Sequence, residues 1–324
     1  MRNPTLCAFT VLVAFGFGGA AAVAQTYPDK TVRMIVPFPA GGATDIIARL
    51  ITDRLAAAWG KPVIIENVAG AAGALGTAQA AKAAPDGYTL LSATGTTTTL
   101  LPHIKPGLAF DPLRDFEAIS LVCAFPNLLV VRPDFPAKNV ADLIALVREN
   151  PGKYSYASTG YGGSPHVAAE WFKLLTKTDI LHVPFTGSGP AQPALLGGHV
   201  DMMFDTMPTV WPLVQAGKLR ALAVTGAERV SFVPELPAIA ETLPGYDVIS
   251  WLGITVPAGT PADVRAKIAT EIQRIVQDPA IVQRMREIAA VARSTTPEEF
   301  AAFIRRDYDK WGNVVKETGI KLAN

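Results

Sequence analysis

"VPFPAGGATDIIARL", residues 36–50, carries a hydrophobic run through Pro37 and Pro39, past a bare Gly41-Gly42 pair, straight into a helical pattern. An ordinary turn needs no such loop. Adjacent glycines leave the backbone open to close approach, and the flanking prolines limit how far it strays. The loop ends where a helix begins, which is where unpaired N–H groups and the positive dipole end collect. The stretch therefore reads as a binding loop. Asp45 reads as a cap of the following helix, a role compatible with ligand contact.

Working outward, Thr31–Val36 reads as a strand and Thr44–Trp59 as a helix with Ile46, Ile47, Leu50, Ile51 and Leu55 on one face. A strand at Val63–Glu66, a helix at Gly73–Lys82 and a strand at Thr89–Ser92 complete a β-α-β-α-β run. That alternation predicts a doubly wound, mostly parallel α/β sheet. The pattern restarts with strands at Leu128–Val131, Tyr154–Ser158, Ile180–Val183, Met202–Asp205 and Leu219–Val224, and helices at Val140–Glu149, Pro165–Leu175 and Pro190–Leu196. Ser250–Val256 reads as a further extended segment, and three helices close the chain. The second half also repeats the opening device. "KYSYASTGYGGSPHVAAEWFKLL", residues 153–175, is strand, glycine loop, helix. Ligands of open α/β sheets sit at the carboxyl ends of strands. Two lobes facing each other would point both helix N-termini into one cleft suited to a small anion.

Bulk properties exclude several classes. Met1-Arg2-Asn3 is short and basic, Leu6–Val23 is nearly all apolar or glycine, and Ala22-Val23-Ala24 precedes Gln25. This is the layout of a cleaved signal peptide over residues 1–24, so the mature chain is expected in the periplasm. The chain has 29 bases against 28 acids, and loss of Arg2 with the leader leaves 28 of each. A neutral chain offers no basic field to nucleic acid or an anionic membrane. Cys123 is then the single cysteine, which rules out an internal disulfide and reads as a buried small hydrophobe.

Several site chemistries also lack support. No G-x-x-x-x-G-K-[ST] occurs and no G-x-G-x-x-G opens a helix, which argues against a nucleotide. His103, His182 and His199 show no metal spacing, so no cofactor or metal is expected. Ser164 and His166 allow a serine hydrolase as the alternative reading, although no G-x-S-x-G elbow surrounds the serine. Asp205, in "MMFDTMP", ends a strand where a cleft would lie, and is otherwise a turn or cap acid.

The ordered motifs "YPDKTVRMIVPFPAGGATDIIAR", "IIENVAGAAGALGT", "APDGYTLL", "YASTGYGGSPHVAAEWFK", "HVPFTGSGPAQPALLGGHVDMMFD" and "LGITVPAGTPADV" cover essentially the whole mature chain. In them the sequence resembles the tripartite tricarboxylate transporter substrate-binding receptors, the Bug family. The resemblance implies a two-lobed periplasmic binding protein of the type II, Venus-flytrap kind, with no catalytic role. It implies lobe 1 over residues 25–126 plus 251–324 and lobe 2 over 127–250. It further implies a monomer that closes on a small carboxylate (a di- or tricarboxylate, an aromatic acid or an amino acid) and delivers it to a membrane permease. Carried over by position, the ligand contacts would be Phe38, Ala40, Gly41, Gly42 and Asp45 in the first lobe. In the second they would be Ser158, Thr159, Gly160, Ser164 and Asp205, with His166 fixing the loop. Gly163 stands where such receptors often carry a serine.

Overall fold

The structure is a computed structural model that describes residues 27–319, so the expected leader at 1–24 and the end of the expected lobe 1 at 320–324 lie outside the described residues. The chain begins β1 (Val32–Val36), α1 (Ala43–Trp59), β2 (Val63–Asn67), α2 (Ala74–Ala81) and β3 (Thr89–Thr94). A π-helical turn over Thr96–Leu100 runs into α3 (Leu101–Ile104), followed by β4 (Phe116–Val131) and α4 (Val140–Glu149). Next come β5 (Ser155–Ser158), α5 (Ser164–Thr176), β6 (Leu181–Pro184), α6 (Ser188–Leu196), β7 (Met202–Thr206), α7 (Met207–Gln215) and β8 (Arg220–Val224). The chain returns through β9 (Ile249–Pro257) to α8 (Ala262–Gln277), α9 (Pro279–Glu287), β10 (Val291–Ala292) and α10 (Pro297–Thr318).

Helix α1 shows how the pattern becomes structure. Ile47, Ile51 and Leu55 recur every four residues and are fully buried, which places one apolar stripe against the sheet. Gly60 ends the helix in a left-handed conformation, φ +61°, and its N–H donates to the Ala56 carbonyl. Strand β1, buried at four of its five positions, lies between β2 and β3 with both pairings parallel.

Three parallel strands, β2-β1-β3, form the heart of one lobe and β6-β5-β7 that of the other. The sheet as a whole is mixed, not mostly parallel. β9 is antiparallel to both β3 and β4, and β4 is antiparallel to β7, β8 and β10. The reason is connectivity. Parallel neighbours need a crossover, whereas β4 and β9 carry the chain between the lobes side by side in opposite directions. Residues 116–126 of β4 pair with β9, and residues 127–131 pair with β7 and β8.

Each lobe has its own apolar cluster: Ile47, Ile51, Ile254 and Ile272 in one, Leu128, Val130, Leu195 and Met203 in the other. A third cluster joins them on one side, where Trp311 of α10 and Leu101 of α3 pack with Trp171 and Phe172 of α5. The Trp171 and Trp311 rings meet edge-on, 6.1 Å between centroids. Cys123 is fully buried, and burial raises its thiol far above the usual range. Among the described residues no helix is long and apolar enough to cross a membrane.

Candidate functional site

The cleft between the lobes holds a cavity of about 100 Å³, and its walls are helix beginnings. Gly42 precedes α1, Gly163 precedes α5, Gly187 precedes α6 and Thr206 precedes α7, and all four residues line the cavity. None of these four helices has a side-chain cap. Away from the cleft, Asn139, Asp278 and Thr296 cap α4, α9 and α10 through their side chains. The first-turn amides of a helix have no intrahelical partner. Four sets of such amides are thus left bare around one space.

The floor of that space is the paired crossing strands. Phe125 of β4 and Ser250 of β9 are register partners, and Ile249 and Trp251 stand beside them. The Trp251 indole N–H donates to Asp307 of α10 at 2.8 Å, and Thr99 of the π turn donates to the same carboxylate oxygen at 2.6 Å. Among the described residues no Asp, Glu, Lys, Arg or His lines this cavity.

The residues expected from the sequence divide into two layers. Phe38, Gly42, Thr159 and Ser164 line the cavity, and Gly160 lines a second chamber beside it. Ala40, Gly41, Asp45, Ser158, His166 and Asp205 line neither; most of them hold the loops from behind. The Gly41 N–H donates to Asp45 Oδ2 at 2.9 Å, and Asn67 Nδ2 donates to Asp45 Oδ1 at 3.0 Å. Gly41 is the left-handed residue of this loop, φ +78°, while Gly42 is extended at φ −77°. Burial pushes the Asp45 carboxyl up, and the donors from Arg49, Gly41 and Asn67 more than reverse it, leaving it below the ordinary value.

The second lobe is braced in the same way. Asp205 is fully buried and accepts from Ser188 Oγ, Gln192 Nε2 and the Thr206 N–H at 2.7–2.8 Å, which joins the starts of α6 and α7. Burial raises its carboxyl even so. The Gly160 N–H donates to Ser158 Oγ at 3.2 Å, and that oxygen shares a 2.7 Å hydrogen bond with His182 Nε2. The Gly162 N–H donates to His166 Nδ1 at 3.2 Å. This needs a neutral imidazole, and burial lowers the His166 pKa accordingly. Burial, reinforced by His166, holds His182 at about 4.

Ser164 is not set up as a nucleophile. Its Oγ accepts from Asn127 Nδ2 and from Ser250 Oγ, each at 2.8 Å, and His166 is turned to the Gly162 amide instead. A serine nucleophile needs a base within hydrogen-bond reach, and the geometry here corrects the hydrolase alternative. The motif reading also missed Gly187, Ser188, Thr206, Thr94 at the end of β3 and Thr96 at the start of the π turn. One signal was present: Val183-Pro184-Phe185 echoes Val36-Pro37-Phe38, again before a glycine loop and a helix. The two loops meet, since a Cβ on Gly187 would lie 3.7 Å from Pro39 Cγ.

Two α/β lobes joined by paired strands, with an uncharged cavity ringed by helix N-termini between them, define a solute-binding receptor. The family model for the tripartite tricarboxylate transporter family receptor matches residues 47–320, and the chain belongs to that family. It is 34% identical over 319 residues to Protein BugT of Bordetella pertussis, covering 98% of each chain. It superposes on R. palustris Rpa4515 with adipate at a TM-score of 0.87, with 33% identity over 91% of this chain and 99% of that one. MatC from Rhodopseudomonas palustris with bound malate gives 0.84, with 34% identity over 89% and 100%.

Proposed function

We propose that this receptor captures a small carboxylate in the cleft and presents it to the membrane permease of a tripartite system. One observation carries the reading: four helix N-termini without side-chain caps surround a cavity that, among the described residues, no charged side chain lines. An anion at a helix N-terminus gains about 0.3–2 kcal/mol. Several termini acting together would supply a few kcal/mol without any ion pair. The relatives whose solved structures hold adipate and malate support the same class.

In this reading Phe38, Gly42, Thr159 and Ser164 touch the ligand. Gly41 and Asp45, with Ser158, His166 and Asp205, set the positions of the loops. Residues 25–126 with 251–324 act as one lobe and 127–250 as the other, hinged where β4 changes partners. The ligand favours closure through the contacts it gains from both lobes. The chain works as an exported monomer without cofactor or catalytic step, its leader being residues 1–24.

The test is thermal unfolding of the mature protein against paired probes, each acid beside its amide, starting from adipate and malate. A ligand selective for the folded state raises the melting temperature as its concentration exceeds Kd. Acids are expected to stabilise and amides not. Equal stabilisation by both members of every pair would refute the anion reading.

A further inference from the structure

A second chamber of about 1000 Å³ opens beside the inner cavity, and the two share Phe38, Pro39, Thr159, Gly163 and Gly187. The starts of α5 and α6, at Gly163 and Gly187, therefore stand at the boundary between the chambers, whereas Gly42 and Thr206 line the inner one alone. The outer one is walled by the loop Gly70–Gly73 and by the end of α3, where Ile104, Lys105 and Pro106 follow one another. Ala71 and Ala72 in that loop hold left-handed backbone, φ +50° and +56°. Non-glycine residues keep this conformation where the surroundings impose it, as at ligand clamps.

Lys105 is, among the described residues, the one charged side chain lining either chamber. Its Nζ has no hydrogen bond or ion pair among them. A lysine that ends a helix is favourable on dipole grounds alone. The dipole does not explain why a lysine on the chamber wall is left without a counter-ion. The inner cavity offers N–H groups but no cation, so a second carboxylate pushed into it would lose water without gaining a partner. The outer chamber offers a cation on its wall.

We infer that Lys105 receives a second anionic group of the ligand. The receptor then prefers dianions that place one carboxylate at the shared wall and send the other outward. This rests on the carboxylate reading above. Lys105 is a specificity-determining residue, and the length of the ligand must match the span from the helix starts to its ammonium.

The experiment is calorimetric titration of the mature protein with α,ω-diacids from succinate to azelate and with the monoacids of matching length, butyrate to nonanoate. The wild-type chain is expected to prefer the diacid by about tenfold at one or more lengths, the size of one hydrogen bond to a charged group. Lys105→Met is expected to abolish that preference, and Lys105→Arg to restore it. Monoacids binding as tightly as diacids at every length would overturn the inference, with no variant needed. So would a preference that survives in Lys105→Met. If amides bind and no acid does, the carboxylate reading itself falls, and the inference falls with it.

Discussion

Replacing Asp45 by alanine tests how far the first loop depends on a residue that does not line the cavity. Asp45 is 3% exposed and takes hydrogen bonds from the Gly41 N–H and Asn67 Nδ2, besides those from Arg49. A hydrogen bond to a charged group contributes about 1.5–3 kcal/mol, so the two interior bonds set an upper bound of about 6 kcal/mol. Asn67 keeps its bond to the Phe38 carbonyl, and the half-exposed Arg49 is hydrated in any case. Surface ion pairs add at most about 1 kcal/mol. The expected loss is therefore about 2–4 kcal/mol in urea unfolding at pH 7. Asp45→Asn keeps one acceptor and should lose about half as much. Ligand affinity should fall at least about tenfold in Asp45→Ala, equivalent to about 1.4 kcal/mol, because Gly41 is no longer held. The pH dependence has a defined sign. The folded carboxyl titrates below its unfolded value, so its stabilisation is complete above about pH 4 and lost as pH falls through the folded pKa. The gap between wild type and Asp45→Ala should close in acid. Unfolding within about 0.5 kcal/mol of wild type at pH 7, with unchanged affinity, would refute the latch.

Three further outcomes follow from other contacts. A Cβ on Gly253 would run into the Phe300 ring at Cζ, so Gly253→Ala should destabilise by about 1–3 kcal/mol through overpacking. Adding Phe300→Leu should recover part of that loss, as read by thermal unfolding. His182 is held at about 4 in the fold, below the unfolded value of about 6.5. The unfolded chain binds more protons between those values, so stability should fall as pH drops through that window, with a shallower slope in His182→Gln. A slope identical in the two proteins would count against the buried neutral imidazole. Asn127→Ala and Ser250→Ala each remove a donor to Ser164 Oγ. Their effects on ligand affinity should be non-additive in a double-mutant cycle, and strict additivity would show that the three do not act as a unit.

Most helices and the parallel strands were legible because their apolar residues keep a single period, as at Ile47, Ile51 and Leu55. The long strand β4 was only partly legible. It is buried on both faces over most of its length, so no alternation marks Phe116–Phe125. Helix α7 was hidden by Pro208 and Pro212, the second of which lies inside the helix. The run Thr96–Thr99 is β-branched, a composition that favours strands, and its pattern marks no element, yet tertiary packing winds it into a π turn. The two glycine loops singled out in the sequence both reach the inner cavity, through Gly42 and Gly163. Spacing alone did not distinguish Gly42, which faces the cavity, from Asp45, three residues on, which faces the loop. That distinction depends on side-chain direction and on partners such as Asn67, distant in sequence.

The bare helix starts bear on how this protein would respond to laboratory evolution. A side-chain cap contributes about 1 kcal/mol to a helix, and Asn139, Asp278 and Thr296 provide one where no cleft is present. Gly163 is extended, φ −68°, and a Cβ there would meet nothing nearer than 3.4 Å. Gly163→Asp is therefore within easy reach of a mutagenised library. A heat-challenge selection run without ligand would enrich that substitution and its counterpart at Gly42. Each would add a carboxylate at a terminus that the proposed function assigns to the ligand's own carboxylate. Survivors would melt later and bind less, so a useful selection has to apply heat and ligand together.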